Sequence, residues 1–245
     1  MDDSGQATQV LKRDGLGRVE LLGGDPPLIR RVADGGRLPG SALVARQLLA
    51  RERRALEALG GMRGVPRLVG EQARATGLRT FLVGQPLHRA TALPRDFFEL
   101  LDELVREMHE RGVCHNDLHK EQNIVVLEDG RPGLIDFQLA SVHPHRAGRT
   151  FRSRCGDDLR HVRKHSLRYE RRGRPKTSEE RSGGALPRRS VLAGLWRRTG
   201  KPLYNVVTRR ILRTRDGEER RPSSGPWPDW APPLEGPRAR DEHQT

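Results

Sequence analysis

Three polar side chains, Asp117, Asn123 and Asp136, have the chemistry to hold a magnesium ion and to accept a proton. Mg²⁺ prefers oxygen ligands and takes few protein groups, so the Asp136 carboxylate and the Asn123 amide oxygen suit it. The Asp117 carboxylate could orient an acceptor hydroxyl and take its proton. Transfer of the ATP γ-phosphoryl group has these requirements. The set therefore predicts ATP and Mg²⁺ as cofactors, with Asp117 as the base and Asn123 and Asp136 as metal ligands.

A β-hairpin is the element that must bring Asn123 and Asp136 together. Two apolar runs, Ile124–Leu127 and Leu134-Ile135, flank Asp129-Gly130, a dipeptide typical of two-residue hairpin turns. Folded about such a turn, the chain places Asn123 opposite Asp136. We therefore expect the two metal ligands side by side at the open end of the hairpin.

The order of these residues resembles that of the protein-kinase catalytic loop and metal-binding D-F-G. Asparagine follows Asp117 by six positions rather than five, and Gln138 replaces the glycine. In both respects the chain is similar to small bacterial kinases near the RIO and lipopolysaccharide-core kinase groups, which carry D-L-x-K-x-x-N and I-D-F-Q. The segment from Asp158 to His165, DLRHVRKH, also resembles RIO-like serine/threonine kinases.

That resemblance, over about residues 9 to 213, implies an α+β, two-lobed protein-kinase-like fold. We expect a small strand-rich N-terminal lobe over 9–84 and a helical C-terminal lobe over 85–213, very basic from about residue 144. Residues 1–8 and the Pro-rich segment 214–245 are predicted to be disordered. The implied activity is an ATP- and Mg²⁺-dependent serine/threonine protein kinase.

A helix and a strand of the first lobe should position the phosphates. Ser41 is a good N-cap for a helix over 42–59, whose apolar stripe contains Glu52. In kinases the corresponding glutamate pairs with a strand lysine, but the strand Leu28–Val32 has none. Arg30 is the candidate by position, with Arg31 on the opposite face of the strand. An ordinary surface ion pair is the alternative for Glu52.

Four further elements are predicted around the site. Strands are expected at Val65–Val69 and Thr80–Val83, and a helix is expected at Phe97–Arg111, beneath the catalytic loop. Another helix should begin at Gly156. There Asp158 would brace the catalytic loop; a simple N-cap is the alternative, and one residue could fill both roles.

The remaining polar residues of the loop allow more than one interpretation. Lys120 could bind transferred phosphate or be an ordinary surface lysine. His115 is expected to pack under the metal-binding aspartate and to hydrogen-bond to backbone. The spacing of His109, His115 and His119 does not match a zinc site.

Composition limits the compartment and the class of protein. The net charge is +14, and hydrophobic residues make up only 34% of the chain. Cys114 and Cys155 are not in a metal-spacing motif and indicate a reduced compartment. The N-terminal sequence is not that of a signal peptide, and no apolar run reaches the ~18 residues of a membrane span. We therefore expect a cytoplasmic protein, with a peripheral location at the inner membrane as the alternative.

The positive charge is concentrated in the second half of the chain. Residues 144–221 contain 24 arginines and lysines but only 8 acidic residues. The net positive charge of this segment therefore exceeds the +14 of the whole chain. Residues 188–213 could form a basic amphipathic surface for anionic lipid, RNA or the ribosome. Helices that complete the large lobe, with solvated arginines outside, are the alternative.

The phosphate acceptor stays open at this point. RIO-like kinases suggest a protein serine or threonine, whereas lipopolysaccharide-core kinases suggest the sugar of an anionic glycolipid. Aminoglycoside-type phosphotransferases share the H-x-D-L-H loop, but the basic second half counts against a cationic drug. A pseudokinase that binds RNA or the ribosome is a further alternative. It is supported by Arg30 in place of the kinase lysine, by Gln138 in place of the glycine, and by the absence of the kinase G-x-G-x-x-G motif, whose loop covers the nucleotide.

Overall fold

The computed structural model describes residues 8–36, 39–90 and 93–170. Of the predicted disordered N-terminus only Thr8 is described, and it begins the first strand. The basic segment beyond residue 170 and the Pro-rich segment 214–245 lie outside the described residues, so the predictions for them stay predictions. Within the described part, no helix is long and apolar enough to cross a membrane.

A four-stranded antiparallel sheet forms the N-terminal lobe. Its strands follow each other across the sheet in chain order, β1 Thr8–Asp14, β2 Gly17–Leu22, β3 Leu28–Val32 and β4 Thr76–Thr80. The helix α1, Ser41–Ala58, lies between β3 and β4 in the sequence. The expected strand-rich lobe is thus present, and β3 has the predicted bounds.

Two predicted strands in this lobe were placed wrongly. The segment Val65–Val69 contributes only an isolated bridge from Leu68 to Arg79. The strand expected at Thr80–Val83 lies at Thr76–Thr80 instead, because Thr80 pairs with Leu28, the first residue of β3. Beyond that pair, the segment opposite β4 is Pro26-Pro27. Proline has no backbone N–H to donate, so the hydrogen-bond ladder between β3 and β4 stops there.

The C-terminal lobe is built on two helices and two small sheets, one of three strands and one of two. The helices are α2, Phe97–Glu110, and α3, Arg149–Glu170. The strands are β5 Gly84–Pro86, β6 Val113–Cys114, β7 Ile124–Leu127, β8 Pro132–Leu134 and β9 Ser141–Val142. At the predicted boundary between the lobes, Gly84–Pro86 forms β5, which pairs with β7. The helix α3 begins seven residues before the predicted Gly156.

One apolar core joins α1 to the C-terminal lobe. The apolar face of α2 is fully or almost fully buried, at Phe97, Leu101, Leu104, Val105 and Met108. These side chains belong to the same cluster as residues of the loop and hairpin, Leu118, Ile124, Leu134 and Phe137, and as Leu56 and Leu59 of α1. Because burial of each such side chain stabilises by about 1.5–3 kcal/mol, this core fixes the loop on its supporting helices.

The hairpin register differs by one residue from the prediction. Ile124 pairs with Leu134, so Asn123 is opposite Ile135 rather than Asp136. The turn has three residues, because Leu127 accepts a bond from Gly130 and donates one to Arg131. Gly130 has φ +79°, the left-handed conformation that a type I turn with a bulge requires. The Ile135 amide donates to the Asn123 carbonyl at 3.0 Å, so Asn123 and Asp136 still adjoin.

Candidate active site

A cleft lies between the N-terminal sheet and the loop that follows β6. The first hairpin and β3 line one side of it, with Asp14, Gly17, Arg31 and Val32. The loop and the end of the second hairpin line the other side, with Asp117, Lys120, Asp136 and Gln138. Two of the three predicted catalytic residues therefore face the cleft.

The Asp117 carboxylate is 3% exposed and is held by three side chains. Its Oδ1 is 2.9 Å from Nδ1 of His119, and its Oδ2 is 3.3 Å from Nζ of Lys120. The Asn123 amide nitrogen donates to Oδ2 at 3.1 Å. Burial raises the pKa of Asp117, but the His119 hydrogen bond and the Lys120 charge outweigh it and hold the pKa below its usual value. The carboxylate is therefore ionised at neutral pH.

The Asn123 side chain is fixed to the loop through its nitrogen. Besides the bond to the carboxylate, Nδ2 donates to the backbone carbonyl of Asp117 at 3.0 Å. Because the two amide heteroatoms point in different directions, the oxygen is turned away from Asp117. Asn123 is 4% exposed, so this orientation is set by its surroundings.

Asp136 is held in a backbone conformation that few residues adopt. Its φ is +65° and its ψ is +64°, in the left-handed region. Its Oδ1 is buried and has no hydrogen-bond partner among the described residues. A buried carboxylate oxygen without a donor is unfavourable unless a cation balances it. Asp136 and Asn123 thus have the oxygen chemistry that Mg²⁺ needs, and the structure fits that metal here.

His115 supports Asp136 from below. Its Nε2 lies 2.9 Å from the carbonyl of Ile135, the residue before Asp136. Its ring packs against Phe137, the residue after, with 4.7 Å between the ring centroids. These are the contacts expected for the first residue of the loop.

Asp158 braces the loop backbone from α3. It is 1% exposed and accepts hydrogen bonds from the amides of His115 at 2.8 Å and Asn116 at 3.0 Å. Nε2 of His109, on α2, is 3.2 Å away. The predicted brace is therefore present, but Asp158 lies in the middle of α3, so the alternative role as an N-cap is wrong.

A second brace, which sequence analysis missed, joins α3 to the loop through Glu121 and His165. Glu121 accepts from Tyr169 at 2.9 Å, contacts Arg168, and lies 3.5 Å from His165. His165 Nε2 is 2.9 Å from the Leu118 carbonyl. Burial raises the pKa of Glu121, but its partners lower it to about 2. The DLRHVRKH motif, which ends at His165, contained the signal for this contact.

The structure places Arg31, not Arg30, against Glu52. Arg31 is 6% exposed, with Nη1 3.5 Å from the Glu52 carboxylate and Nη2 donating to the Gln138 side chain at 2.9 Å. Arg30 is on the other face of β3 and donates to Glu20, its cross-strand neighbour, at 2.6 Å. The predicted Arg30–Glu52 pair is therefore wrong, because α1 packs on the face of the sheet that carries Arg31.

Glu52 itself is buried, at 2% exposed. Arg79 of β4 is its second partner. The alternative of a surface ion pair is therefore wrong. Gln138, at the position of the kinase glycine, completes a link from α1 through Arg31 to the residues that follow Asp136.

Comparison with known proteins identifies the family. Residues 19–146, just over half of the chain, match the phosphotransferase enzyme family, APH. This chain belongs to the phosphotransferase enzyme family. The match covers β2 to the segment after β9, and so includes the loop, the hairpin and Arg31.

A curated relative and a solved structure extend the comparison. The probable SapB synthase of Streptomyces coelicolor is 34% identical over 126 residues, 41% of this chain and 13% of that protein. The Rio2 kinase–ADP/Mg²⁺–phosphoaspartate complex from Chaetomium thermophilum superposes with a TM-score of 0.50 and 17% identity, covering 74% of this chain and 58% of Rio2. The chain thus spans about an eighth of the relative and less than two thirds of Rio2.

These comparisons confirm the predicted fold class. At 17% identity the Rio2 likeness shows the fold alone. Family membership supports a kinase-like phosphotransferase. The membership does not distinguish a RIO-like protein kinase from the other acceptor classes.

Proposed function

We propose that this protein transfers the γ-phosphoryl group of ATP to an acceptor hydroxyl, with Mg²⁺ as the metal. The observation that carries the proposal is the pair of buried residues Asp117 and Asn123 beside Asp136, whose buried Oδ1 has no hydrogen-bond donor among the described residues. The nucleotide would lie in the cleft between the sheet and the loop.

Asn123 and Asp136 would hold the metal, which supplies neutralisation of charge on the phosphate oxygens. Asp117 orients the acceptor hydroxyl and receives its proton at a carboxylate oxygen. His119, 2.9 Å from Oδ1, keeps that carboxylate ionised and fixes its orientation until the proton arrives. Lys120, 3.3 Å from Oδ2, would contact the transferred phosphoryl group from the same side.

Arg31, rather than the predicted Arg30, would position the phosphates. Its guanidinium lines the cleft and is held by Glu52 on one side and Gln138 on the other. A guanidinium has five donors in a planar fork, so Arg31 can keep these contacts and still bind a phosphate oxygen. Glu52 then acts through Arg31 rather than on the nucleotide.

We propose a serine or threonine of a protein as the acceptor, on the strength of the RIO-like motifs H-N-D-L, D-F-Q and DLRHVRKH. The sugar hydroxyl of an anionic glycolipid is the second candidate. One observation favours it: only twelve residues separate Asp136 from the start of α3, so this connection is too short for an extended peptide platform. The expected cytoplasmic or inner-membrane location and the RNA or ribosome contacts stay predictions.

The test is the Asp117→Asn variant of the full chain. We expect ATP·Mg²⁺ binding to persist while turnover falls by about 10²–10⁴-fold, the usual contribution of a positioned base. Binding is measured by thermal shift and turnover by ATP consumption, with casein-type protein and lipopolysaccharide compared as acceptors. Equal turnover in wild type and variant would remove Asp117 from the reaction.

A further inference from the structure

Two cysteines and a histidine come together beneath the catalytic loop, although their spacing in the sequence matches no zinc motif. The sulfur atoms of Cys114 and Cys155 are 3.7 Å apart. A ring nitrogen of His109 lies within 4.8 Å of both. Three different elements supply the groups, α2, β6 and α3. We propose that this cluster binds Zn²⁺ through two thiolates and one imidazole, with a solvent molecule as the fourth ligand.

The separation of the sulfur atoms fits a shared tetrahedral ion. Zn–S bonds of about 2.3 Å give a tetrahedral edge of about 3.8 Å, close to the observed 3.7 Å. A disulfide would require the sulfurs to approach to about 2.05 Å. Two thiols in ordinary contact can also be 3.7 Å apart. The distance between the sulfur atoms alone therefore does not distinguish a metal site from two thiols in contact. The His109 imidazole beside both sulfur atoms is the second, independent observation.

Charge and burial also suit this ion. Binding replaces the two thiol protons, which leave to solvent, so Zn²⁺ and two thiolates form a neutral unit. A neutral unit avoids most of the cost of burying a charge. Cys114 is fully buried and His109 is 8% exposed, while Cys155 is partly exposed, so the cluster is not sealed from solvent.

The surroundings of His109 resemble those of metal-bound histidines. Its Nε2 lies 3.2 Å from the buried Asp158 carboxylate. Such carboxylate–histidine pairs orient the imidazole of a metal ligand. Asp158 is also the brace of the loop backbone, so an ion in this cluster would tie the brace to β6, whose last residue directly precedes His115. The site would thus stabilise the loop without contacting substrate, which goes beyond the proposed phosphotransfer.

The composition of the chain makes the test specific, because Cys114 and Cys155 are its only cysteines. The full chain, reduced with a phosphine and stripped of metal, is titrated with Co²⁺ and then with Zn²⁺. We expect thiolate-to-Co²⁺ charge-transfer absorption that saturates at one equivalent and disappears when Zn²⁺ displaces Co²⁺. Zn²⁺ should also raise the melting temperature, because it binds the folded state.

Two variants separate this site from adventitious binding. Cys155→Ser, at a partly exposed position, should weaken Zn²⁺ binding by at least about tenfold, since loss of even an outer-shell partner costs about 10–100-fold. His145→Gln, at an exposed histidine before α3, should bind like wild type. No charge-transfer band in wild type, or equal Zn²⁺ affinity in Cys155→Ser, would overturn the proposal. Disulfide formation without metal binding would also overturn it and would assign the pair to thiol oxidation.

Discussion

At the scale of single residues, adjacent arginines on β3 have opposite environments. Arg31 is buried between Glu52 and Gln138, whereas the Arg30 side chain is 36% exposed and bonds to Glu20. Strand alternation predicted that the two side chains would point to opposite faces. It could not predict which face α1 covers, because that depends on how the helix packs. The arginine that pairs with Glu52 was therefore predicted one residue away from its observed position.

We expect Arg31→Met to lower kcat/KM for ATP by about 10–100-fold, since a charge-assisted hydrogen bond contributes about 1.5–3 kcal/mol. Arg30→Met is the matched control, because it removes the same group from the opposite face of the same strand. Its kcat/KM should stay near that of wild type. A larger loss in Arg30→Met than in Arg31→Met would contradict the placement of the phosphate-binding arginine.

The acid limit of activity should depend on His119. The pKa of Asp117 is below its usual value, so the carboxylate keeps its charge to lower pH and activity is lost only as pH falls through that pKa. His119→Ala removes a hydrogen bond that lowers this pKa, while burial continues to raise it. The acid limb of the pH profile of kcat/KM should therefore move to higher pH. If the acid limb of His119→Ala lay at the same pH as that of wild type, His119 would not control the ionisation of Asp117. The control is His145→Ala, whose acid limb should match that of wild type.

At the scale of elements, the sequence predicted the long helices well and the irregular segments poorly. The helices α1 and α2 lie within one residue of their expected bounds, because apolar stripes mark them. The predicted N-cap Ser41 is wrong: Gly40 is the N-cap and Ser41 is the first residue of α1. The hairpin was expected at the right place, but its register was off by one because Asp129-Gly130 permits both two- and three-residue loops. The start of α3 has no comparable signal: its first turn is Arg149-Thr150-Phe151.

The brace from α3 gives a prediction about stability. Asp158→Ala leaves the amides of His115 and Asn116 without their acceptor. A buried donor without a partner costs about 1–3 kcal/mol, so the free energy of unfolding should fall by about 2–6 kcal/mol in urea titrations. Asp102→Ala removes the partner of Arg106 in a partly exposed ion pair on α2 and should cost less than about 1 kcal/mol. Equal losses in the two variants would show that Asp158 does not brace the loop.

At the scale of the whole molecule, the site lies where the sheet and the helical lobe meet. The candidate site residues of the loop and hairpin were predicted from their order and spacing. They are close in the sequence, so local structure alone decides which of them adjoin. Apart from the Asp158 brace, contacts between distant segments were not predicted: Glu121 with His165 and Tyr169, and Cys114 with Cys155. Such pairs depend on the packing of α3, which the sequence pattern did not define. The basic segment beyond residue 170 lies outside the described residues, and its expected affinity for anionic partners stays a prediction.

The central claim is that Asp117, Asn123 and Asp136 form a working ATP·Mg²⁺ site, and one measurement tests it most directly. Mg²⁺-dependent ATP consumption by the full chain is compared with that of Asp136→Asn, and ATP·Mg²⁺ binding is read by thermal shift on the same samples. The account predicts binding and turnover in wild type and loss of Mg²⁺-dependent turnover in Asp136→Asn. Turnover that is unchanged in the variant, or a wild-type protein that does not bind ATP·Mg²⁺, would contradict it.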